Sequence, residues 1–331
     1  MKVVIDSAIP YIRGVLDSFA ETLYLEGGKF TREAVADADA LIIRTRTRID
    51  QTLLEGSRVR FVATATIGKD HIDEEYCQRN GITVCSAPGC NARGVLQWVA
   101  GALHYITTSE HRLPESYTLG IVGVGNVGSL VSEYCRSWGF RVMECDPPRQ
   151  QREGGEFYSI DEIVQKADII TLHTPLDSST RHLINPARLA MMRPEAIVIN
   201  ASRGGVVDND AVLRSQHRYI YDVWEGEPNI KDEILEGAVL STPHIAGYSI
   251  QGKANATAMC IKALANYFDL PLTDWYPEEV SPTKPRPITW EELCNTITDH
   301  FDIVRQSEEL RTNPTDFEDL RNNYAFREEY F

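Results

Sequence analysis

The chain has 331 residues, and its 33 lysines and arginines against 48 aspartates and glutamates give a formal net charge of −15 at pH 7. Apolar residues make up 43% and charged residues 24%, which is typical of a folded globular protein and excludes a disordered or collagen-like chain. Because so acidic a chain offers no extended basic face, we expect neither a nucleic acid nor an anionic membrane as partner.

Short apolar segments alternate with helix-like segments over the first hundred residues. Strands are predicted at 3–6, 40–44, 59–64 and 83–86, and helices at 9–19, 31–36, 50–56 and 73–80. This alternation is typical of β–α units on a parallel sheet. A longer helix is predicted at 92–107, where apolar residues recur at helical spacing.

A second alternating series follows. Its strands are predicted at 118–122, 141–145, 168–173, 196–200, 219–223 and 238–241, and its helices at 127–138, 160–165, 186–189 and 208–214. A helix predicted at 249–268 is expected to return to the first domain. A proline-rich linker and acidic amphipathic segments then close the chain. The pattern predicts an α/β fold with two doubly wound parallel-sheet domains and a small C-terminal α+β segment.

A glycine motif joins the first strand and first helix of this second series. Gly123, Gly125 and Gly128 form G-x-G-x-x-G, and Asp146 ends the next predicted strand. In this context the glycines allow a tight turn, close approach of the backbone to a pyrophosphate, and close packing of helix on strand. A carboxylate at Asp146 binds ribose hydroxyls and repels a 2′-phosphate, so the cofactor predicted is NAD.

Three charged residues follow later strands of the same series. Arg203 lies in Asn-Ala-Ser-Arg-Gly-Gly-Val-Val-Asp, Glu227 in Asp-Val-Trp-Glu-Gly-Glu-Pro, and His244 in Thr-Pro-His-Ile-Ala-Gly. An arginine can hold a carboxylate through two parallel hydrogen bonds, and a histidine beside a carboxylate can exchange a proton with an alcohol. His173 is expected to form a wall of the cofactor site, and the other histidines to be structural.

The seven cysteines include no C-x-x-C pair and no Cys/His cluster at zinc spacing, so no metal site is predicted. We expect them to be reduced thiols of a cytoplasmic protein. No signal peptide and no membrane-spanning segment are predicted.

These motifs occur in the order typical of the D-isomer-specific 2-hydroxyacid dehydrogenases, and the chain resembles that family over about residues 1–270. The resemblance implies a flavodoxin-like substrate-binding domain at 1–94 and 245–271, a Rossmann NAD-binding domain at 95–244, and a C-terminal dimerisation domain at 272–331. Finer motifs, such as those at 63–73 and 244–253, are similar to a branch of the family that acts on a small phosphorylated 2-hydroxy acid. Beside that branch, the loops at 176–182 and 214–221 and the C-terminal segment look short.

The resemblance also implies roles for individual residues. Arg203 would bind the substrate carboxylate, His244 would exchange the proton of the C2 hydroxyl, and Glu227 would orient His244. The cofactor-binding set is Gly123, Gly125, Asn126, Val127, Gly128, Asp146, Thr174, Ala201, Ser202, Arg203, Asp222 and Gly247. The substrate-binding set is Thr45, Thr66 and Tyr248, with Arg44 and Arg46 as candidates for the substrate phosphate.

Two other functions remain open at this point. The first is another D-2-hydroxyacid dehydrogenase, acting on phosphoglycerate, hydroxypyruvate or glyoxylate-type substrates. The second is a non-enzymatic NAD(H)-sensing protein similar to the corepressors that share this fold. The resemblance favours an enzyme, because the three residues implied in catalysis are all present. Its C-terminal dimerisation domain also implies a homodimer.

Overall fold

The computed structural model describes residues 1–331. Its strands are β1 (Lys2–Asp6), β2 (Glu21–Leu25), β3 (Ala40–Ile43), β4 (Phe61–Thr64), β5 (Thr83–Cys85), β6 (Thr118–Val122), β7 (Arg141–Cys145), β8 (Ile169–Leu172), β9 (Ile197–Asn200), β10 (Arg218–Tyr221) and β11 (Leu240–Ser241). Its helices are α1 (Arg32–Val35), α2 (Gln51–Leu54), α3 (Glu74–Arg79), α4 (Ala92–Ser109), α5 (Asn126–Ser137), α6 (Pro147–Glu153), α7 (Ile160–Lys166), α8 (Pro186–Met191), α9 (Asn209–Ser215), α10 (Asp232–Gly237), α11 (Ile250–Phe268), α12 (Trp290–His300), α13 (Ile303–Thr312) and α14 (Phe317–Asn322). None of the helices combines the length and apolarity that crossing a membrane requires.

The chain divides into two compact units. The first unit comprises residues 1–91 and 250–282, and the second unit comprises residues 92–249 and 283–331. The first holds a five-stranded parallel sheet in the order β2-β1-β3-β4-β5, and the second a six-stranded parallel sheet in the order β11-β10-β9-β8-β6-β7. The two doubly wound parallel sheets predicted from the sequence are confirmed, and in both the strand order reverses beside the first strand of the series.

Each sheet is buried by helices on its faces. In the first unit, apolar residues of β1, β3 and β4 form a cluster with Cys260, Ile261 and Leu264 of α11. In the second unit, α4 is buried along most of its length, and Trp98 is among its fully buried side chains. These buried runs explain why the strands read as continuous apolar segments rather than alternating ones.

The C-terminal segment does not form a third unit. Residues 283–331 belong to the second unit, because Ile297, Phe301 and Phe331 are buried in the same apolar cluster as Trp98. Helix α13 packs beside the edge strand β11, where Ser307 Oγ accepts a hydrogen bond from the Ser241 N–H at 2.9 Å. The segment contains helices and one isolated parallel bridge, between Ser249 and Arg327, rather than the expected sheet.

The helix predicted at 9–19 is wrong. Tyr11 and Gly14 both have left-handed φ angles, of 62° and 84°, so the chain forms successive turns there. Ile12 and Leu16 are nevertheless buried. Their four-residue spacing is also that of the buried face of a helix. Strand β2, which follows and pairs with β1, was not predicted, nor were the short helices α6 and α10.

Candidate active site

The glycine loop lies between β6 and α5, at the reversal of strand order in the second unit. Gly123 has a φ of 86°, and a Cβ there would lie 2.7 Å from the carbonyl oxygen of His173. A Cβ on Gly128 would lie 2.0 Å from the carbonyl oxygen of Gly123, so only glycine allows this approach of helix to strand. Nothing lies within 4 Å of a Cβ built on Gly125. The loop therefore leaves open space before the free N–H groups of α5, which favour an anion.

Asp146 ties this loop to the next helix. Its Oδ2 accepts from the Val124 N–H at 2.8 Å, and its Oδ1 caps α6 by accepting from the Arg149 N–H at 2.8 Å. The Arg149 guanidinium returns to the loop and donates to the Val124 carbonyl at 2.9 Å and to Ser129 Oγ at 3.1 Å. A carboxylate has about four acceptor sites, so Asp146 keeps two for the hydroxyls of a ribose.

Residues after β8 form the wall next to the glycine loop. Burial lowers the pKa of His173 to about 3, and its Nε2 lies 3.0 Å from Thr171 Oγ1. His173 is therefore neutral at physiological pH and suits a structural role, not proton transfer. The Thr174 Oγ1 is buried without a hydrogen-bond partner, and the Thr174 methyl lies 3.0 Å from the Cβ position of Gly123. An unsatisfied hydroxyl at this position suggests that a ligand supplies its partner.

Arg203 is placed by a network around the end of β9. The Asn200 amide oxygen accepts from the Ser202 N–H at 3.1 Å and from Ser202 Oγ at 2.8 Å, and the Asn200 amide nitrogen donates to the Arg203 carbonyl at 2.9 Å. A Cβ on Gly204 would lie 2.0 Å from the carbonyl carbon of Trp224. Arg203 therefore lies on a loop that packs directly against the segment after β10, the segment that carries Glu227.

Glu227 and His244 form a hydrogen-bonded pair. The distance from His244 Nδ1 to Glu227 Oε2 is 2.7 Å, and Glu227 Oε1 accepts from the Trp224 N–H at 2.6 Å. Burial by itself raises the pKa of Glu227, but His244, the hydrogen bonds and Arg321 outweigh it, so the pKa lies below its ordinary value. Glu227 is thus an anion at neutral pH. The Glu227 carboxylate favours the tautomer of His244 with a proton on Nδ1, so the other ring nitrogen, Nε2, can accept a proton.

Asp222 holds the loop that carries His244. Its Oδ1 accepts from Thr242 Oγ1 at 2.6 Å and from the Ile245 N–H at 2.8 Å, and its Oδ2 accepts from the Ala246 N–H at 2.9 Å. Burial raises the pKa of Asp222, an effect that His244 and these hydrogen bonds partly offset. With 1% of its surface exposed, Asp222 acts in this structure as an anchor of the loop.

Two C-terminal arginines reach the same loop, and sequence reasoning found neither. Arg327 is buried and donates to the carbonyls of Ile245 at 3.1 Å, Tyr248 at 3.2 Å and Gly94 at 2.7 Å, and also to that of Ala246. Arg321 Nε donates to the Tyr248 hydroxyl at 3.1 Å. Neither arginine lies in a recognisable motif. The only local signal is that Arg321 follows Phe317 by four residues, on the face by which α14 packs.

The other candidate substrate residues lie in the first unit. Arg44, Thr45 and Arg46 follow β3, and Thr66 follows its neighbour β4, so all four are at the carboxyl edge of one sheet. Arg44 donates to the Ala8 carbonyl at 2.9 Å, and Thr66 Oγ1 lies 2.8 Å from Thr64 Oγ1. The structure therefore places the predicted catalytic and cofactor-binding residues, and Tyr248, in the second unit. It places Arg44, Thr45, Arg46 and Thr66 in the first unit.

The cysteines and metal-ligating residues form no site of their own. None of the seven cysteines forms a disulfide, and burial raises the pKa of Cys145 to about 11 and that of Cys77 to about 11. Thiols with such values are mostly protonated at neutral pH and poorly reactive. No group of three or more His, Cys, Asp or Glu side chains is placed to hold a metal ion.

Comparison with known proteins adds independent evidence. Residues 98–246 match the family model described as D-isomer specific 2-hydroxyacid dehydrogenase, NAD binding domain. The chain is 44% identical over 345 aligned residues to an erythronate-4-phosphate dehydrogenase of Bacteroides fragilis, covering 99% of this chain and 97% of that one. It is 46% identical over 282 aligned residues to an erythronate-4-phosphate dehydrogenase of Pseudomonas syringae pv. syringae, covering 82% and 74%. Its fold is similar to that of a 3-phosphoglycerate dehydrogenase of Entamoeba histolytica with bound NAD+, with a TM-score of 0.70, 24% identity, and coverage of 85% and 99%.

Proposed function

Because the chain belongs to the D-isomer-specific 2-hydroxyacid dehydrogenase family, we propose that it oxidises 4-phospho-D-erythronate at C2 with NAD. The product is 2-oxo-3-hydroxy-4-phosphobutanoate, and the reaction is a step of pyridoxal 5′-phosphate (vitamin B6) biosynthesis. The observation that carries the chemistry is the 2.7 Å contact between His244 and Glu227 beside the Arg203 loop. The substrate assignment rests on the relatives that are 44–46% identical to this chain and bear the name erythronate-4-phosphate dehydrogenase.

The second unit has the features that NAD needs. The space at Gly125 before α5 suits the pyrophosphate, Asp146 keeps acceptor sites for the adenosine ribose, and the buried hydroxyl of Thr174 lacks a protein partner. When bound, NAD supplies the acceptor for the hydride that leaves C2. We propose the same role in cofactor binding for the other members of the predicted set, namely Gly123, Asn126, Val127, Gly128, Ala201, Ser202, Arg203, Asp222 and Gly247.

The remaining chemistry belongs to side chains of the chain. Arg203 binds the substrate carboxylate and holds C2 in place, because a guanidinium matches a carboxylate through two parallel hydrogen bonds. His244 Nε2 accepts the proton of the C2 hydroxyl. Glu227 orients the ring and stabilises the imidazolium that forms, since its carboxylate stays ionised 2.7 Å from Nδ1. A base and an anion-binding arginine are what oxidation of a 2-hydroxy acid requires.

The test is a comparison of substrates with the purified protein. We expect kcat/KM with NAD to be far higher for 4-phospho-D-erythronate than for 3-phospho-D-glycerate, D-lactate or glycolate. A preference for phosphoglycerate would instead support the alternative of another dehydrogenase in this family. Turnover of none of these acids, with NADH still bound, would support the sensor function. His244→Ala should abolish turnover and leave NADH binding intact.

We also propose that the enzyme acts in the cytoplasm as a homodimer. Seven cysteines without a disulfide suit a reducing compartment. The predicted C-terminal dimerisation region includes α12 and α13, where Val304 exposes 38% of its apolar side chain. Light scattering during size-exclusion chromatography measures the molar mass, and a value near 37.3 kDa, the mass of one chain, would contradict the dimer.

A further inference from the structure

Arg321 lies on the C-terminal helix α14, far in sequence from the residues discussed as catalytic. Phe317, one helical turn earlier, is buried in the cluster that contains Trp224, and Leu320 packs against the same cluster. Residues four apart lie on one face of a helix, so the packing of Phe317 directs Arg321 toward the segment after Trp224. Helix α14 therefore places a positively charged side chain near Glu227.

The contacts of Arg321 place it within the site. Its Nε donates to the Tyr248 hydroxyl at 3.1 Å. The guanidinium lowers the pKa of Glu227 by its charge. Each Glu227 oxygen already takes part in one hydrogen bond, Oε2 with His244 and Oε1 with the Trp224 N–H. The terminal nitrogens of Arg321, Nη1 and Nη2, are not among the buried polar atoms that lack a partner, so they remain accessible to solvent or to a ligand.

The accessible donors of this half-buried guanidinium can be satisfied by water or by a ligand that displaces the water. Burial by itself lowers the pKa of Arg321, but Tyr248, Glu227 and Asp222 raise it, so the side chain is a cation at every pH of interest. Glu227 and Asp222 act on Arg321 only through space, because the hydrogen bond of its guanidinium goes to Tyr248. An anion that enters beside Tyr248 would be met by two parallel N–H groups, the geometry that suits phosphate and carboxylate oxygens.

We propose that Arg321 binds the phosphate of the substrate and so determines the preference for a phosphorylated 2-hydroxy acid. This rests on the proposed function, in which Arg203 already holds the carboxylate at the other end of the same small molecule. The hydrogen bond from Arg321 to Tyr248 fixes the guanidinium, and Tyr248 is itself a proposed substrate residue. Arg44 and Arg46 remain candidates for phosphate contacts in the first unit.

Arg321→Gln, Arg321→Lys and the control Arg305→Gln test this proposal. Arg305 is also a C-terminal arginine, but its side chain is exposed on α13 and makes no hydrogen bond. With 4-phospho-D-erythronate we expect Arg321→Gln to raise KM roughly 30-fold, the typical effect of losing hydrogen bonds to a charged group. With unphosphorylated D-erythronate we expect a much smaller rise in KM, because that acid lacks the phosphate that Arg321 binds. Arg321→Lys should be intermediate, and Arg305→Gln unchanged with both acids.

Other outcomes would overturn the proposal. An unchanged KM for the phosphorylated acid removes Arg321 from substrate binding. Equal losses on both acids, with a lower kcat and a displaced pH profile, would mean that Arg321 acts only by positioning Tyr248 or Glu227. If the wild type does not prefer the phosphorylated acid, the proposed function fails separately. In that case, inhibition by inorganic phosphate tests whether Arg321 binds phosphate, with whichever 2-hydroxy acid is turned over as the substrate. We expect inhibition of Arg321→Gln to be about tenfold weaker than that of the wild type. Unchanged inhibition would refute the role.

Discussion

Replacement of Glu227 by glutamine should disable His244 without removing any atom of its ring. In the wild type, Glu227 Oε1 accepts from the Trp224 N–H at 2.6 Å and Oε2 faces His244 Nδ1 at 2.7 Å. The glutamine oxygen must remain on the Trp224 N–H, since only an acceptor can satisfy it. The amide NH₂ then faces Nδ1 and favours the tautomer with a proton on Nε2, which cannot accept a proton from substrate.

The expected loss of activity has two causes, the changed tautomer of His244 and the missing negative charge of Glu227. A hydrogen bond to a charged group contributes about 1.5–3 kcal/mol, and the imidazolium also loses its anion, so we expect about 3 kcal/mol in the barrier. This corresponds to a fall in kcat/KM of about 10²-fold, measured by NADH absorbance at pH 8. The control is Glu225→Gln, because Glu225 lies two residues away and pairs with His182 at 3.0 Å and Arg181 at 3.5 Å. A Glu227→Gln enzyme within threefold of wild type would refute the reasoning.

Three further predictions concern the same unit. Because the pKa of Glu227 in the folded protein lies below its ordinary 4.5, its contribution to stability is present above that pH and is lost as pH falls through the lower value. The difference in Tm between wild type and Glu227→Gln should therefore narrow below about pH 4.5, and a constant difference would contradict this. Gly128→Ala, whose Cβ would lie 2.0 Å from the Gly123 carbonyl oxygen, should lower Tm strongly, whereas Gly125→Ala should keep Tm but weaken NADH binding in a fluorescence titration. Arg327→Met leaves buried carbonyls without a donor and should cost about 3 kcal/mol in urea unfolding; a loss under 1 kcal/mol would show that water replaces the guanidinium.

Most elements of both sheets could be predicted from the sequence because their strands are buried on both faces. Continuous apolar runs of four or five residues, such as β3 and β9, have few alternatives. The segment before β2 could not be assigned, because apolar residues at helical spacing are buried there by turns with left-handed φ angles at Tyr11 and Gly14. Periodicity reports which side chains are buried and not which backbone conformation buries them.

The residues of the candidate site likewise include some that the sequence could predict and others that it could not. Arg203, Glu227 and His244 were recognisable because each follows a strand of one sheet, and the carboxyl ends of parallel strands meet at one edge. Arg321 and Arg327 could not be found, because nothing near them in the chain indicates a site. Arg327 lies 82 residues from Ile245, whose carbonyl it binds. Such contacts depend on tertiary packing of the C-terminal segment, which local patterns do not encode.

The backbone at His244 explains why that distant segment matters for the chemistry. His244 has a φ of 58°, a left-handed conformation that costs a non-glycine residue about 1–2 kcal/mol. The loop keeps it because both sides of its backbone are held: Asp222 accepts from the N–H groups of Ile245 and Ala246, and Arg327 donates to the carbonyls of the same two residues. Relaxation of His244 to an ordinary φ would break these hydrogen bonds and move Nδ1 off Glu227. The position of the base therefore depends both on a buried acid directly after β10 and on an arginine near the C-terminus.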